Sequence, residues 1–278
     1  MTARIVVGSC EVEHRGVRRP AGGNPLRRGL LTWIERRNEL RRRASTPGTG
    51  LLDLEAHELA RSFGERVCGV RHALADHPLL RWQAIAELAD RLPTVAVERH
   101  PASQPVLRPD GSPRFGGRPS ETVLDLERSA WSLVLRNIER ADGYRELLDA
   151  SLDELEDLLD ADERPVAHEA SLVLSAPLAV TPARVEPEHH LLLQVRAERQ
   201  VNVGRFGSHE AQARAFERYR FGQRRNLEFV PHETVAFDLA GGEGVYLPPF
   251  APHWIRTGPS ASVSLSLGFG WRSFGARG

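Results

Sequence analysis

The sequence predicts an α+β protein whose helical first half leads into a β-rich second half, with the strands closed or doubled around a polar hollow. Two observations predict it. Up to about residue 160 apolar residues recur near helical spacing; after about 165 they fall into short runs at 169 to 175, 179 to 186, 189 to 203, 227 to 238, 244 to 248 and 261 to 270. Within those runs the two faces differ in chemistry. His190, Leu192 and Gln194 share one face of a strand and Leu191, Leu193 and Val195 the other, while Arg184 and Glu186, two apart, share a face as well. One face packs a core and the other carries charge and imidazole, which suits a small barrel with a polar lumen.

In chain order, 16 to 28 is rich in Arg, Gly and Pro and reads as irregular, and 30 to 43 as a weak helix bearing a basic cluster, a solvated face in a chain whose basic residues are all arginine. Residues 45 to 50 form a linker. Leu51 to Val67 and His77 to Leu92 read as amphipathic helices, with Leu79, Leu80, Trp82, Ile85, Leu88 and Leu92 as the second one's buried stripe. The stretch 96 to 119 is rich in Pro and Gly and reads as a loop over the pocket. Ser120 opens a further helix whose buried positions run through Leu124, Leu126, Trp131, Leu133, Val134 and Ile138, and Tyr144 to Leu159 follows as an acidic amphipathic helix. Ser208 to Arg220 interrupts the strands with a polar helix, and Ser262 to Phe269 is the clearest alternating strand.

Composition narrows the function classes. The 278 residues are 41% hydrophobic with formal net charge zero, enough for a buried core and without a global signal for nucleic acid or an anionic membrane surface. Cys10 and Cys68 form no metal-ligand cluster, and no window reaches the roughly 18 apolar residues of a membrane span, so a reduced cytoplasmic setting is expected. No P-loop or glycine-rich dinucleotide fingerprint is present.

Several ordered segments carry a resemblance. Thr181-Pro182, then Glu186-Pro187-Glu188-His189-His190, then Leu192-Leu193-Gln194-Val195-Arg196 are similar to the metal-site strand and following strand of JmjC and cupin-like proteins. Asp238 to His253, with Tyr246-Leu247-Pro248-Pro249 before the histidine, and Ser262 to Phe269 resemble the same family's later strands; His77-Pro78-Leu79 and Trp131 to Leu148 resemble its helical lead-in. The resemblance spans about 77 to 272. It implies a double-stranded β-helix of the cupin or jelly-roll type over 77–278, with 1–76 as a helical N-terminal extension. It also implies Fe(II)- and 2-oxoglutarate-dependent oxygenation of a peptide or small molecule, and dimerisation as seen in family members.

Matched position by position, Glu186 stands at the family's carboxylate ligand and His253 at its distal histidine, while Arg184 stands where the first histidine is expected. Thr181 and Arg199 match the groups that hold the keto acid's far carboxylate, and Gln194 and His190 line the pocket beside them. A guanidinium has no lone pair for a metal. Three chemistries therefore remain open. His190 joins Glu186 and His253 as a rearranged metal triad; or Arg184 pairs with Glu186 in a metal-free pseudoenzyme pocket that binds an acidic ligand, a peptide or a partner; or His253 and Glu186 serve as acid and base in a metal-free reaction. His189, Tyr246 and Trp254 are expected in packing roles, and His168, His209 and His232 at the surface.

Overall fold

A computed structural model describes residues 51–53, 59, 62–102, 117–159, 165–222, 225–229 and 231–271. The irregular stretch 16 to 28, the helix expected over 30 to 43 with its basic cluster, the linker 45 to 50, residues 103–116 of the expected loop and the tail beyond 271 lie outside the described residues. The fold is mostly antiparallel β-sheet with a few helices. Its elements are β1 (Leu52–Asp53), β2 (Cys68–His72), α1 (Trp82–Arg91), β3 (Val97–Pro101), α2 (Pro119–Leu124), β4 (Trp131–Arg136) and α3 (Tyr144–Leu159). The second half holds β5 (Pro165–Ser175), β6 (Val180–Arg184), β7 (His189–Arg196), β8 (Arg199–Arg205), α4 (His209–Gly222), β9 (His232–Leu239), β10 (Glu243–Leu247), β11 (His253–Thr257) and β12 (Ser262–Trp271).

Two sheets result. The larger runs β1-β2-β10-β7-β12-β5-β4-β3 and the smaller β6-β11-β8-β9. From β5 onward successive strands alternate between the sheets except at β9, which stays beside β8, so residues far apart in the chain meet across one hollow. The alternation read from the sequence sorts the faces. Leu191, Leu193 and Val195 of β7, with Val263, Leu265, Leu267 and Phe269 of β12 and Leu172 and Leu174 of β5, join Leu80, Ile85, Leu88 and Leu148 from the helical layer in the main core. Leu192, Val201, Val203, Val245, Leu247 and Ile255 pack between the sheets. Gly244 sits where strands crowd: a Cβ there would stand 2.8 Å from the Leu192 carbonyl oxygen and from the Val70 Cγ2.

Several expectations change. Trp131 to Ile138 is not helical: Trp131–Arg136 is strand β4, with Leu133 and Leu135 in the core and Ser132, Val134 and Arg136 on the hollow side. The true period is two, and the helical reading arose from joining this run to the helix before it. Val97–Pro101, read as loop, is a strand on β4, because pairing supplies the hydrogen bonds that local sequence cannot announce. Of Leu51 to Val67, Leu52–Asp53 forms strand β1 on β2, and β2 pairs with β10, so the large sheet begins before residue 77. The helix expected from His77 begins as a short 3-10 turn over Pro78–Leu80, capped by the His77 Nδ1 accepting from Leu79 N, and becomes α-helical at Trp82. Among the described residues no helix is long and apolar enough to cross a membrane.

Candidate functional site

Between the sheets lies a cavity of about 880 Å³. β6 and β11 bring its principal groups together. Their antiparallel register places Arg184 opposite His253 and Thr181 opposite Ile255, and all four side chains line the hollow. Glu186 follows β6 directly, and the Phe250 backbone N–H donates to its carbonyl at 2.6 Å, tying the Pro248–Phe250 turn to this corner. From the opposite wall β7 contributes His190 and Leu192, and β12 contributes Ser266. Glu186, His190 and His253 thus all line one cavity.

Charge decides what they do there. Glu186 is 6% exposed. Arg184 Nη2 lies 2.7 Å from its Oε1, and Arg225 Nη1 lies 3.0 Å from its Oε2. Burial opposes ionisation of this carboxyl, yet Arg184 foremost, with Arg225, holds it down to about 2. Arg225 reaches Glu169 of β5 at 3.0 Å through its other nitrogen, Glu169 is paired to Arg136 of β4, and Arg136 to Glu98 of β3. His100 Nε2 closes the row 3.2 Å from Glu98. Charges of alternating sign therefore cross the inner face of the large sheet and end at Arg184.

The imidazoles are neutral near pH 7. Burial pushes His190 down to about 4 and lowers His253 as well. His190 Nε2 is 2.8 Å from Ser266 Oγ. His253 Nδ1 donates to the Ala251 carbonyl at 3.0 Å, which leaves the lone pair of the neutral ring on Nε2.

This donor set does not suit a divalent metal. Both oxygens of Glu186 are engaged by guanidinium groups, and a permanent cation stands beside the two histidines where a third ligand would be needed. Among the described residues no group of three or more His, Cys, Asp or Glu side chains is placed to hold a metal ion.

Arg199 presents the opposite case. It is wholly buried, and its bonds go to neutral acceptors: Nε to Ser262 Oγ at 2.9 Å, Nη2 to the Val173 carbonyl at 3.1 Å and to Ser175 Oγ. Its Nη1 is buried without a hydrogen-bond partner. Burial pushes the guanidinium down to about 9, so it remains charged at neutral pH. Arg199 lines the cavity together with Ser175, Val173 and Thr181.

Other expected groups fall elsewhere. Gln194, two residues beyond Leu192 where the cavity's β7 lining ends, is buried but does not line the cavity: Ser264 donates to its Oε1 and its Nε2 donates to the Arg196 carbonyl. His189 faces away, stacked on Phe63 at 4.4 Å and bonded to the Tyr246 hydroxyl at 2.7 Å. Tyr246 is a core residue, and His209 and His232 are exposed. Arg225, Glu169, Arg136 and Glu98 were missed. Their one sequence signal was period two within β4 and β5, which puts Arg136 and Glu169 on the inner face; nothing local indicates that Arg225, 39 residues after Glu186, returns to it.

No family model matches the chain, and no curated protein matches it. Solved structures do. Escherichia coli ycfD is similar at 18% identity and TM-score 0.50, with 81% of this chain and 55% of that one covered. The structure of YcfD, a ribosomal oxygenase from Escherichia coli, in complex with cobalt and 2-oxoglutarate matches at 17% identity and TM-score 0.49, over 81% of this chain and 54% of that one. An oxidoreductase of the 2OG-Fe(II) oxygenase family from Burkholderia pseudomallei matches at 14% and 0.46, over 77% and 88%. The chain spans about half the length of ycfD. At such identities likeness speaks to fold alone: the two-sheet architecture described above is shared with Escherichia coli ycfD.

Proposed function

We propose that this chain is a metal-independent binding protein for small carboxylates, built on an oxygenase-type double-stranded β-helix. The alternation of strands between two facing sheets from β5 to β12 supports that name for the fold. The observation that carries the function is Arg199: a fully buried guanidinium with no acidic partner among the described residues and its Nη1 amino group unsatisfied, lining a cavity. A buried unpaired charge costs several kcal/mol, and a carboxylate arriving from the cavity would offset that cost while satisfying Nη1. Thr181 lines the same cavity and offers a hydroxyl donor to such a group.

The Arg184–Glu186–Arg225 ion pairs favour binding over Fe(II)-dependent hydroxylation. A resident iron would need Glu186 freed from two cations and a third ligand in place of Arg184. Acid–base use of His253 and Glu186 has less support, because a carboxyl held down to about 2 is a weak base. The ligand belongs to the 2-oxoglutarate class of small organic acids, the site's residues being Arg199, Thr181, Arg184, Glu186, His190 and His253, which line the one cavity.

Calorimetric titration of the chelator-treated protein with succinate and 2-oxoglutarate tests this. Saturable binding that Arg199→Met abolishes is expected. Binding only after Fe(II) or Co(II) is supplied, or equal binding by Arg199→Met, would overturn it.

A further inference from the structure

A second hollow, of about 690 Å³, is walled by β8, β9, the first turn of α4, the residues just before β2 and the turn 248–252. Among the described residues it shares no lining residue with the carboxylate cavity, yet the two are neighbours: Leu247 and His253, on either side of that turn, line the first.

The two hollows differ in chemistry. Arg184, Arg199 and Arg218, each with a buried nitrogen lacking a hydrogen-bond partner, line the first; among the described residues no such group lines the second. Four rings line the second instead, those of Phe206, Phe216, Phe237 and Phe250, together with prolines and valines. Its acids, Glu65 and Glu233, are matched in number by Arg66 and Arg205, and Arg205 Nη1 lies 3.8 Å from Glu233 Oε2; His209 is the remaining titratable side chain there. Aromatic walls, balanced charge and no donor awaiting an acceptor suit a flat, uncharged molecule. An ion entering this hollow would lose hydration and find no surplus counter-charge. The volume is that of a site for a small organic ligand.

Phe250 belongs to this second wall and is tied to the first site. Its backbone N–H donates to the Glu186 carbonyl, and one residue on the Ala251 carbonyl accepts from His253 Nδ1. Its ring packs on Phe216 at 4.2 Å and on Tyr219 at 5.8 Å. Its φ is 60°, a left-handed conformation that a bulky residue holds only where the surroundings impose it. A molecule packed on this ring acts on the same short turn that fixes Glu186 and His253.

We propose that the second hollow is an effector site: it takes an uncharged aromatic molecule, and through the Phe250 turn that molecule changes how tightly the first cavity holds its carboxylate. The site stands on its own lining; its effect on affinity rests on the carboxylate-binding reading. Linkage makes the effect reciprocal, so the carboxylate changes the effector's affinity by the same factor.

The probe is N-phenyl-1-naphthylamine, an uncharged fluorophore that brightens in apolar surroundings, compared at pH 8 with the anionic 8-anilinonaphthalene-1-sulfonate. The uncharged dye is expected to bind saturably and about tenfold more tightly than the sulfonate. Val235→Asp puts a carboxylate into the second wall alone and is expected to weaken the uncharged dye about tenfold while sparing succinate. Saturating dye is expected to shift the succinate Kd of wild type about fivefold, and succinate the dye's by the same factor. Equal binding of the two dyes by wild type, a comparison that needs no variant to fold, would overturn the site, as would indifference to Val235→Asp. Dye binding that moves neither the succinate Kd nor the His253 ring resonances in NMR would overturn the coupling. Moved His253 resonances in a protein that binds no succinate would sustain the coupling while the carboxylate reading falls.

Discussion

Arg199→Met separates the two demands placed on one side chain. In the unliganded protein the guanidinium makes three hydrogen bonds to neutral acceptors, each worth about 1 kcal/mol net, so removing it forfeits about 3 kcal/mol. Against that stands desolvation of a charge with no counter-ion among the described residues. Depression of its pKa from 12.5 to about 9 corresponds to about 5 kcal/mol against the charged form. Methionine fills much of the same volume with an apolar, flexible chain and removes that penalty. The balance leaves the variant about 2 kcal/mol more stable than wild type. Urea denaturation at pH 7, followed by far-ultraviolet circular dichroism without ligand, measures it. Adding dicarboxylate at about a hundred times Kd stabilises wild type by about 2.7 kcal/mol and the variant not at all, so the order of the two curves is expected to reverse. An unliganded variant that loses more than about 1 kcal/mol would mean that Arg199 is a net structural asset, and the functional reading of its unsatisfied nitrogen would fall.

The ion-pair corner makes further predictions. Glu186→Gln leaves Arg184 and Arg225 facing each other without a counter-charge; removing one partner of a buried pair costs about 3–5 kcal/mol, and their partial exposure, 23% and 28%, reduces this to about 2–3. A fall of about 5–10 °C in Tm is expected, read by calorimetry and little changed by high salt. Acid sensitivity should come in two windows. His190 is held neutral in the folded state, so stability drops as pH falls from 6.5 towards about 4; Glu186 then withdraws its contribution as pH falls from 4.5 through about 2. Denaturation curves at stepped pH would show both, and a flat profile down to pH 4 would contradict the burial of His190. Arg184→His places an imidazole two residues before Glu186 and opposite His253, and Co(II) binding by visible absorption is expected to appear, more strongly when Arg225→Gln also frees Glu186. Failure of both variants to bind Co(II) would show that more than Arg184 and Arg225 keeps a metal out.

Much of the second half was readable because strands with one buried face write their register into the chain. The serines of Ser262 to Phe269 turn inward to meet Arg199, Gln194 and His190, while Val263, Leu265, Leu267 and Phe269 turn outward into the core. The same parity separated His190 from its neighbour His189. Helices with long stripes, α1 and α3, were equally plain, and so was α4. β4 failed because its apolar run abuts a helix, and β3 because a short strand inside a turn-rich segment has no signal apart from its partner. Gln194 failed for a different reason: parity tells which face a side chain is on, and where the cavity stops along that face depends on the opposite sheet.

The sequence by itself determined that Arg184 and Glu186 share one face and that His190 faces opposite to His189, and that Arg184, lacking a lone pair, departs from a metal ligand. Both follow from period two and from the chemistry of a guanidinium. Only the tertiary structure decided where the charges pair. The row from Glu98 through Arg136, Glu169 and Arg225 to Glu186 and Arg184 draws on strands β3 to β6 and the segment after α4, and Coulomb energy depends on distances in space that sequence separation does not set. For the same reason Arg199, one arginine among 37, became distinct only when folding buried it and gave it no carboxylate among the described residues.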